Sequence, residues 1–370
     1  MLREAQENSG GSAEERRLFA ALAALIDSGD ESDAGFDRHA RALFAYQHAH
    51  NEPYRRFCTA RGITPDRITH WSQIPAAPAA AFKAFDLTCT PPEHAARIFR
   101  SSGTTGRASS RHYLSAAALD LYDRSLRAGF ARFVIPDGAR LPIWALVPSP
   151  EAAPESSLSH MLGSLMAQDP DLDHRFFWGE HGPDIPALAW ALTGVREPLV
   201  LFGTAFAWLL FFDGHAGRFA LPDGTRVLET GGFKGRTREI PREELYALFT
   251  ERLGVPPARC LAEYGMCELC SQFYDVLLQP SPAGGQEPRR KQGPPWIRTR
   301  ILDPRTGEEC PPGVPGVLCH YDLANLNSVL AVATEDLGVG AGGGFELLGR
   351  VSGAELRGCS LTAEEWHARA

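Results

Sequence analysis

Apolar positions along residues 12–50 recur at helical spacing. Leu18, Leu22, Leu25 and Ile26 fall on one face, and Phe36, Ala40, Leu43 and Phe44 on another, which predicts an N-terminal helical region. From Ala96 the pattern changes. A short apolar run at Ala96–Arg100 reads as a strand, and a helix is predicted over about Ser115–Phe133. Strands follow at Leu141–Val147, Leu199–Phe202, Val227–Glu229 and Cys260–Glu263. They alternate with helical patterns at Ser156–Ala167, from Ala205 to Phe212, and at Pro241–Leu253. Alternation of this kind predicts an α/β sheet that is at least partly parallel. Gln279–Pro295 is rich in Pro, Gly and charge and is expected to be a surface loop. Beyond it, Trp296–Leu302, a turn at Asp303–Gly307, Gly316–Tyr321 and Phe345–Leu348 predict a small antiparallel β subdomain. The expected organisation is an N-terminal helical segment (1–92) packing on the core, an α/β core (93–348) whose β subdomain covers about 296–348, and a short tail (349–370).

Composition narrows the class. The chain has 370 residues, 44% hydrophobic and 22% charged, which suits a globular protein of two to three units at about 150 residues each. Its net charge of −8, with no dense basic patch, argues against nucleic-acid binding. Only three of the 37 basic residues are lysine, Lys83, Lys234 and Lys291, and a compact ammonium in an arginine-dominated chain merits attention. The polar start, Met1–Ser12, does not have the pattern expected of a signal peptide. The longest apolar stretch, Pro198–Phe212, falls short of the roughly 18 residues a membrane span needs. Eight scattered cysteines without an export signal point to a reducing cytoplasm rather than a disulfide scaffold.

Three local motifs could carry chemistry. Arg100–Gly106 reads Arg-Ser-Ser-Gly-Thr-Thr-Gly between a predicted strand and helix. Small and hydroxyl-bearing residues there let backbone N–H groups and hydroxyls close on a phosphate. The Gly-Lys-Ser/Thr ending of a Walker loop is missing. Residues 338–343 spell Gly-x-Gly-x-x-Gly, but a strand rather than a helix follows, so a hairpin loop is the better reading. Cys267 and Cys270 have Cys-x-x-Cys spacing without a second pair, a weak zinc signal set against two small buried thiols.

Taken in order, the segments resemble the adenylate-forming enzymes: acyl-CoA synthetases, luciferases and nonribosomal adenylation domains. Ser101–Gly106 matches the phosphate loop, Glu229-Thr230-Gly231-Gly232 the adenine segment, and Tyr264-Gly265-Met266-Cys267-Glu268 the Tyr-Gly-x-Thr-Glu motif with Cys267 for Thr. Asp303–Gly316 resembles the following hairpin, Thr334–Gly338 the Thr-Gly-Asp motif, and Leu348-Gly349-Arg350 the Gly-Arg before the interdomain hinge. A narrower resemblance is to the LuxE-like acyl-protein synthetases. It is carried by Phe99–Gly106, Pro148 with Ser156-Ser157-Leu158, Gly203–Phe206, Glu229–Gly235 and Arg357–Leu361.

The resemblance implies an α/β adenylate-forming N-terminal-domain architecture, mixed sheets layered with helices plus a small β subdomain, with the large C-terminal domain missing. It implies ATP-dependent activation of a carboxylic acid, a fatty acid on the family's pattern, to acyl-AMP, then transfer to Cys359 as a thioester for delivery to an acyl-protein reductase. Ser101, Ser102, Gly103, Thr104, Thr105 and Gly106 would hold phosphates. Gly231, Gly232, Tyr264, Gly265, Asp336 and Arg350 would contact the rest of ATP. Glu268 and Thr105 would ligate Mg²⁺. Ser157, His160, Gly203 and Thr204 would line the acyl site, with His160 either facing it or filling the core. The superfamily's catalytic lysine lies in the missing domain, so Lys234 is the expected substitute. Two other readings stay open: an acyl- or aryl-CoA ligase of the phenylacetate-CoA ligase type, and a non-catalytic nucleotide-binding subunit. Neither a nucleic acid nor a membrane span is expected.

Overall fold

The apolar periodicity at the N-terminus is cut where the chain can turn. Ser12 caps the first helix by accepting the Glu15 N–H at 3.0 Å. Gly29, with φ 63°, ends it in the left-handed conformation that favours glycine. Asn51 then closes one helix and caps the next through the Tyr54 N–H. In this computed structural model the described residues are 12–101, 109–231, 240–279 and 289–350.

In chain order the elements are helices α1 (Ala13–Ser28), α2 (Asp33–His50) and α3 (Glu52–Ala60), strand β1 (Ala77–Pro78), α4 (Ala81–Ala84), β2 (Arg97–Arg100), β3 (Arg111–Leu114) and α5 (Ala116–Phe133). There follow β4 (Ile143–Leu146), α6 (Ser157–Met166), β5 (Arg175–Phe176), β6 (Trp178–Gly179), β7 (Gly182–Pro183), α7 (Ile185–Thr193), β8 (Val200–Thr204), α8 (Ala205–Gly214), β9 (Arg226–Thr230) and α9 (Arg242–Leu248). The remainder is β-rich: β10 (Cys260–Tyr264), β11 (Phe273–Asp275), β12 (Lys291–Gln292), β13 (Ile297–Leu302), β14 (Gly316–Asp322), β15 (Ala331–Ala341) and β16 (Gly344–Arg350).

The chain divides into two units, Met1–Gly129 with Met266–Gln272 and Gln292–Ala370, and Phe130–Gly265 with Phe273–Lys291. In the first, β13, β14, β15 and β16 form an antiparallel meander, and β1 adds in parallel to β15 through Ala77 opposite Val332. The N-terminal helices dock on this meander. Gln47 donates to the Asn325 carbonyl at 2.7 Å and accepts the Leu330 N–H at 2.8 Å, and Asn51 donates to the Ser328 carbonyl. Trp71 packs edge-on against both Phe36 and Tyr321. The β2–β3 hairpin, Arg97 opposite Leu114 and Arg100 opposite Arg111, brackets the Ser/Thr/Gly loop. The glycine-rich segment at 338–343 belongs mostly to β15. Gly338 pairs with Gly316, and a Cβ there would stand 2.6 Å from Leu318, so close packing rather than a phosphate explains this glycine.

In the second unit β5, β4, β8, β9 and β10 run parallel and β11 joins antiparallel, with β12 beyond it. Strands β4 and β8 are nearly continuous apolar runs, as burial on both faces favours, whereas β9 and β10 carry the buried Glu229 and Glu263. Trp208, Phe211 and Phe212 of α8 meet Phe249 and Leu201 in the core. Helix α7 and the β6–β7 hairpin were not foreseen from the sequence; their residues mix prolines with an almost wholly apolar helix, and that conceals its periodicity. No helix among the described residues is long and apolar enough to cross a membrane.

Candidate active site

Glu268 lies on the Met266–Gln272 loop of the first unit. It is 5% exposed and has no ion-pair partner among the described residues. Burial pushes its pKa above the ordinary carboxylate value, opposed by the Ser110 hydroxyl and the Lys83 ammonium. Strand β3 and the segment after β14 hold the loop. His112 Nδ1 lies 2.7 Å from the Cys267 carbonyl, and its Nε2 lies 3.1 Å from Asn325 Oδ1. Asn325 Nδ2 donates to the Glu268 carbonyl at 3.0 Å, which turns its Oδ1 toward the ring. His112 therefore meets an acceptor at each nitrogen and is engaged at both when protonated. Burial, which lowers its pKa, leaves the neutral ring donating at the nearer Cys267 contact.

Asp322 holds the far end of the same loop. Its carboxylate accepts the Cys270 N–H at 2.8 Å, the Ser271 hydroxyl at 2.7 Å and the Ala324 N–H at 3.0 Å. Burial pushes Asp322 up to about 6 while these bonds pull it down. Behind it Trp296 Nε1 donates to Ser125, which pairs with Ser271 at 2.9 Å, so the polar chain is continuous. Burial drives the Cys267 and Cys270 thiols well above their ordinary pKa, Glu268 adding to the first and Asp322 to the second. They are inert buried thiols rather than metal ligands, and no group of three or more acidic, His or Cys residues among the described residues could hold a metal by itself.

Other expected residues of this unit are placed as follows. Ser101 pairs with Ser110 across the base of the loop, accepting its N–H at Oγ at 2.9 Å and donating its own N–H at 3.2 Å. Asp336 on β15 stands opposite Arg350 on β16, with Nε 3.4 Å from its carboxylate and the Arg350 side chain 77% exposed. Ser102, Gly103, Thr104, Thr105, Gly106, Gly232, Lys234 and Cys359 lie outside the described residues.

In the second unit Gly231 ends β9 with φ 66°, and Glu229 two residues earlier is buried. The Tyr246 hydroxyl donates to Glu229 at 3.1 Å and Arg242 Nε lies 3.9 Å away. Burial raises the Glu229 pKa, opposed by Lys291 and Arg242. A cavity of about 200 Å³ is lined by Ala205, Glu229, Gly231, Ile240, Arg242 and Leu245. Tyr264 closes β10 with its ring 5.8 Å from Phe273, and Gly265 is exposed beyond it. Thr230 donates to Glu263, whose pKa burial pushes to about 7.

Of the expected acyl residues, Thr204 caps α8 through the Ala207 N–H at 3.1 Å. Gly203 lies under Trp208: a Cβ there would stand 2.9 Å from the indole nitrogen, which donates to the Leu228 carbonyl. Ser157 opens α6 and His160 is half-buried on it. His112, Asn325 and Asp322 escaped the sequence reading because nothing local marks them. They meet the Glu268 loop from more than 50 residues away in sequence.

Comparison with known proteins adds the following. The family model for LuxE, an acyl-protein synthetase, matches residues 191–367. Two relatives are each named long-chain-fatty-acid–luciferin-component ligase. The Vibrio harveyi protein is 22% identical over 349 residues, 89% of this chain and 87% of its own. The Aliivibrio fischeri protein is 20% identical over 345 residues, 88% and 87%. Among solved structures, 2-hydroxyisobutyryl-CoA ligase in complex with 2-HIB-AMP and CoA aligns with a TM-score of 0.57 at 13% identity, covering 83% of this chain and 65% of that one. ATP-bound MatB from Rhodopseudomonas palustris aligns with a TM-score of 0.51 at 17% identity, covering 70% and 49%. The chain thus spans less than two thirds of each of these ligases. At such identities the likeness establishes the fold, the α/β architecture of adenylate-forming ligases expected from the order of the motifs.

Proposed function

Because the chain is LuxE-like in sequence and adenylate-forming in fold, we propose that it activates a fatty or related carboxylic acid with ATP and then takes the acyl group onto its own Cys359. The carboxylate oxygen attacks the α-phosphorus, and the bond to pyrophosphate breaks. Acyl-AMP forms, a far better acyl donor than a carboxylate. The Cys359 thiolate, its proton lost to solvent, attacks the acyl carbon and expels AMP, leaving a thioester. The thioester then passes to a protein acceptor of the acyl-protein reductase kind. A free thiol at Cys359 suits the reducing cytoplasm.

The roles divide by chemistry. Ser101–Gly106 binds the phosphates, and Lys234 supplies the cation for the α-phosphate. Gly231, Gly232, Tyr264 and Gly265 receive adenosine, and Asp336 with Arg350 the ribose. Ser157, His160, Gly203 and Thr204 face the acyl group. Glu268 and Thr105 are the protein's ligands to Mg²⁺, a cation that keeps most of its coordination for phosphate oxygens and water. Held there, Mg²⁺ would supply positive charge to neutralise the phosphates.

The observation that carries this reading is Glu268, a buried carboxylate with no ion-pair partner among the described residues, on a loop held at four of its residues. A buried carboxylate with no direct ion pair is costly to keep charged, the Lys83 ammonium and the Ser110 hydroxyl offsetting only part of that cost, and a cation that arrives offsets more. The test is acid-dependent pyrophosphate release from ATP without CoA. Glu268→Gln should lower it about 100-fold, the scale of losing one charge-stabilising group. Release that appears only with CoA would instead favour a CoA ligase, and an unimpaired Glu268→Gln variant would remove Glu268 from the site.

A further inference from the structure

The two peptide planes on either side of the Glu268 Cα set its φ and ψ, and hence where its carboxylate points. Each plane is held by a buried side chain of the same unit. His112 Nδ1 donates to the Cys267 carbonyl at 2.7 Å, and Asn325 Nδ2 donates to the Glu268 carbonyl at 3.0 Å. The two holders touch each other through Nε2 and Oδ1. Both are fully buried. His112 is fixed in turn by Phe82, whose ring meets the imidazole edge-on at 5.9 Å. The Asn325 backbone is fixed from both sides, its N–H on the Asp322 carbonyl and its carbonyl on Gln47. Buried carbonyls need donors in any fold, but here both donors are side chains in contact with each other, and they fall on the two carbonyls that flank one residue. This arrangement restricts one residue, and that residue is the buried carboxylate with no ion pair among the described residues.

We propose that His112 and Asn325 are a pair of positioning residues that fix the Glu268 backbone and so aim its carboxylate. The catalytic part of this assignment rests on the function proposed above; the structural part does not. Cys267 supplies a readout free of any assay of turnover. Its thiol is buried beside the clamp at 8% exposure, while Cys58, at 0%, lies on α3 and makes none of the clamp's contacts.

The experiment alkylates intact protein and follows each cysteine by peptide mass spectrometry. It compares wild type with His112→Leu, His112→Gln and Asn325→Ser. Loss of a clamp bond should speed labelling of Cys267 about tenfold, the scale of one hydrogen bond in a local opening, with Cys58 unchanged. Turnover of the leucine variant should fall about tenfold or more with KM for ATP held within about twofold, because positioning acts on the reacting geometry rather than on binding. His112→Gln, which keeps a donor for the Cys267 carbonyl, should recover part of both effects. Cys267 labelling at the wild-type rate in His112→Leu and Asn325→Ser overturns the clamp. So does acceleration of Cys267 and Cys58 together, which is general loosening; if the leucine variant fails to fold, the Gln and Ser variants decide. Wild-type protein that releases no pyrophosphate with any acid refutes the proposed function, and the labelling still decides the clamp.

Discussion

His320 on β14 is fully buried, with Nδ1 3.0 Å from the Thr299 hydroxyl and its ring near Phe345. Burial alone drives its pKa down to about 3 from the ordinary 6.5. Between those values the unfolded chain binds a proton that the folded chain does not. Stability must therefore fall as pH drops from 6.5 toward 3, by about 1.4 kcal/mol per pH unit from this group. His320→Gln should flatten the acid limb of stability against pH by that slope, measured by urea unfolding at several pH values. Parallel limbs for wild type and variant would contradict the burial argument. The same logic separates the two buried histidines of this unit. His320 faces a hydroxyl that serves either role and stays neutral, whereas His112 faces two acceptors and works as a donor. Neither could be read from sequence, because a histidine's role follows from what lies across from it, and the partners come from other elements.

The elements themselves were the most legible level. Every strand inferred between Ala96 and Glu263 exists within about two residues, because parallel strands are near-continuous apolar runs and helices between them keep their period. The described residues 289–295 differ from the surface loop expected over Gln279–Pro295. Lys291, expected on a surface loop, is 2% exposed on β12. Its ammonium lies 3.0 Å from Asp275 and donates to the Ala262 carbonyl at 2.6 Å, while Asp275 accepts the Ala262 N–H at 2.8 Å and also pairs with Arg289. The two side chains thus grip both polar groups of one residue on β10, two positions before Tyr264. Composition hid this because Pro, Gly and charge usually mean solvent; only the rarity of lysine in the chain hinted otherwise. Lys291→Met should lower stability by about 3 kcal/mol by leaving buried carboxylate charge under-compensated. A shift in the denaturation midpoint equivalent to less than about 1 kcal/mol would show that Arg289 suffices.

For the whole molecule, the order of motifs was more informative than any one of them. A Ser/Thr/Gly loop, a Gly-Gly pair and a Tyr-Gly…Glu segment are each common; in this order they predicted the adenylate-forming fold that the solved ligases share. What order cannot convey is support. The Glu268 loop is held by residues from β3 and the end of β14, brought to it only by folding. On the proposed function, this chain activates a carboxylate and then acylates itself. Intact-protein mass spectrometry after incubation with ATP, Mg²⁺ and mixed fatty acids, without CoA and beside a Cys359→Ala control, tests it most directly. A hydroxylamine-labile acyl adduct is expected on the wild-type protein and none on the variant. An equal adduct on both proteins, or no adduct and no acid-dependent pyrophosphate, would contradict it.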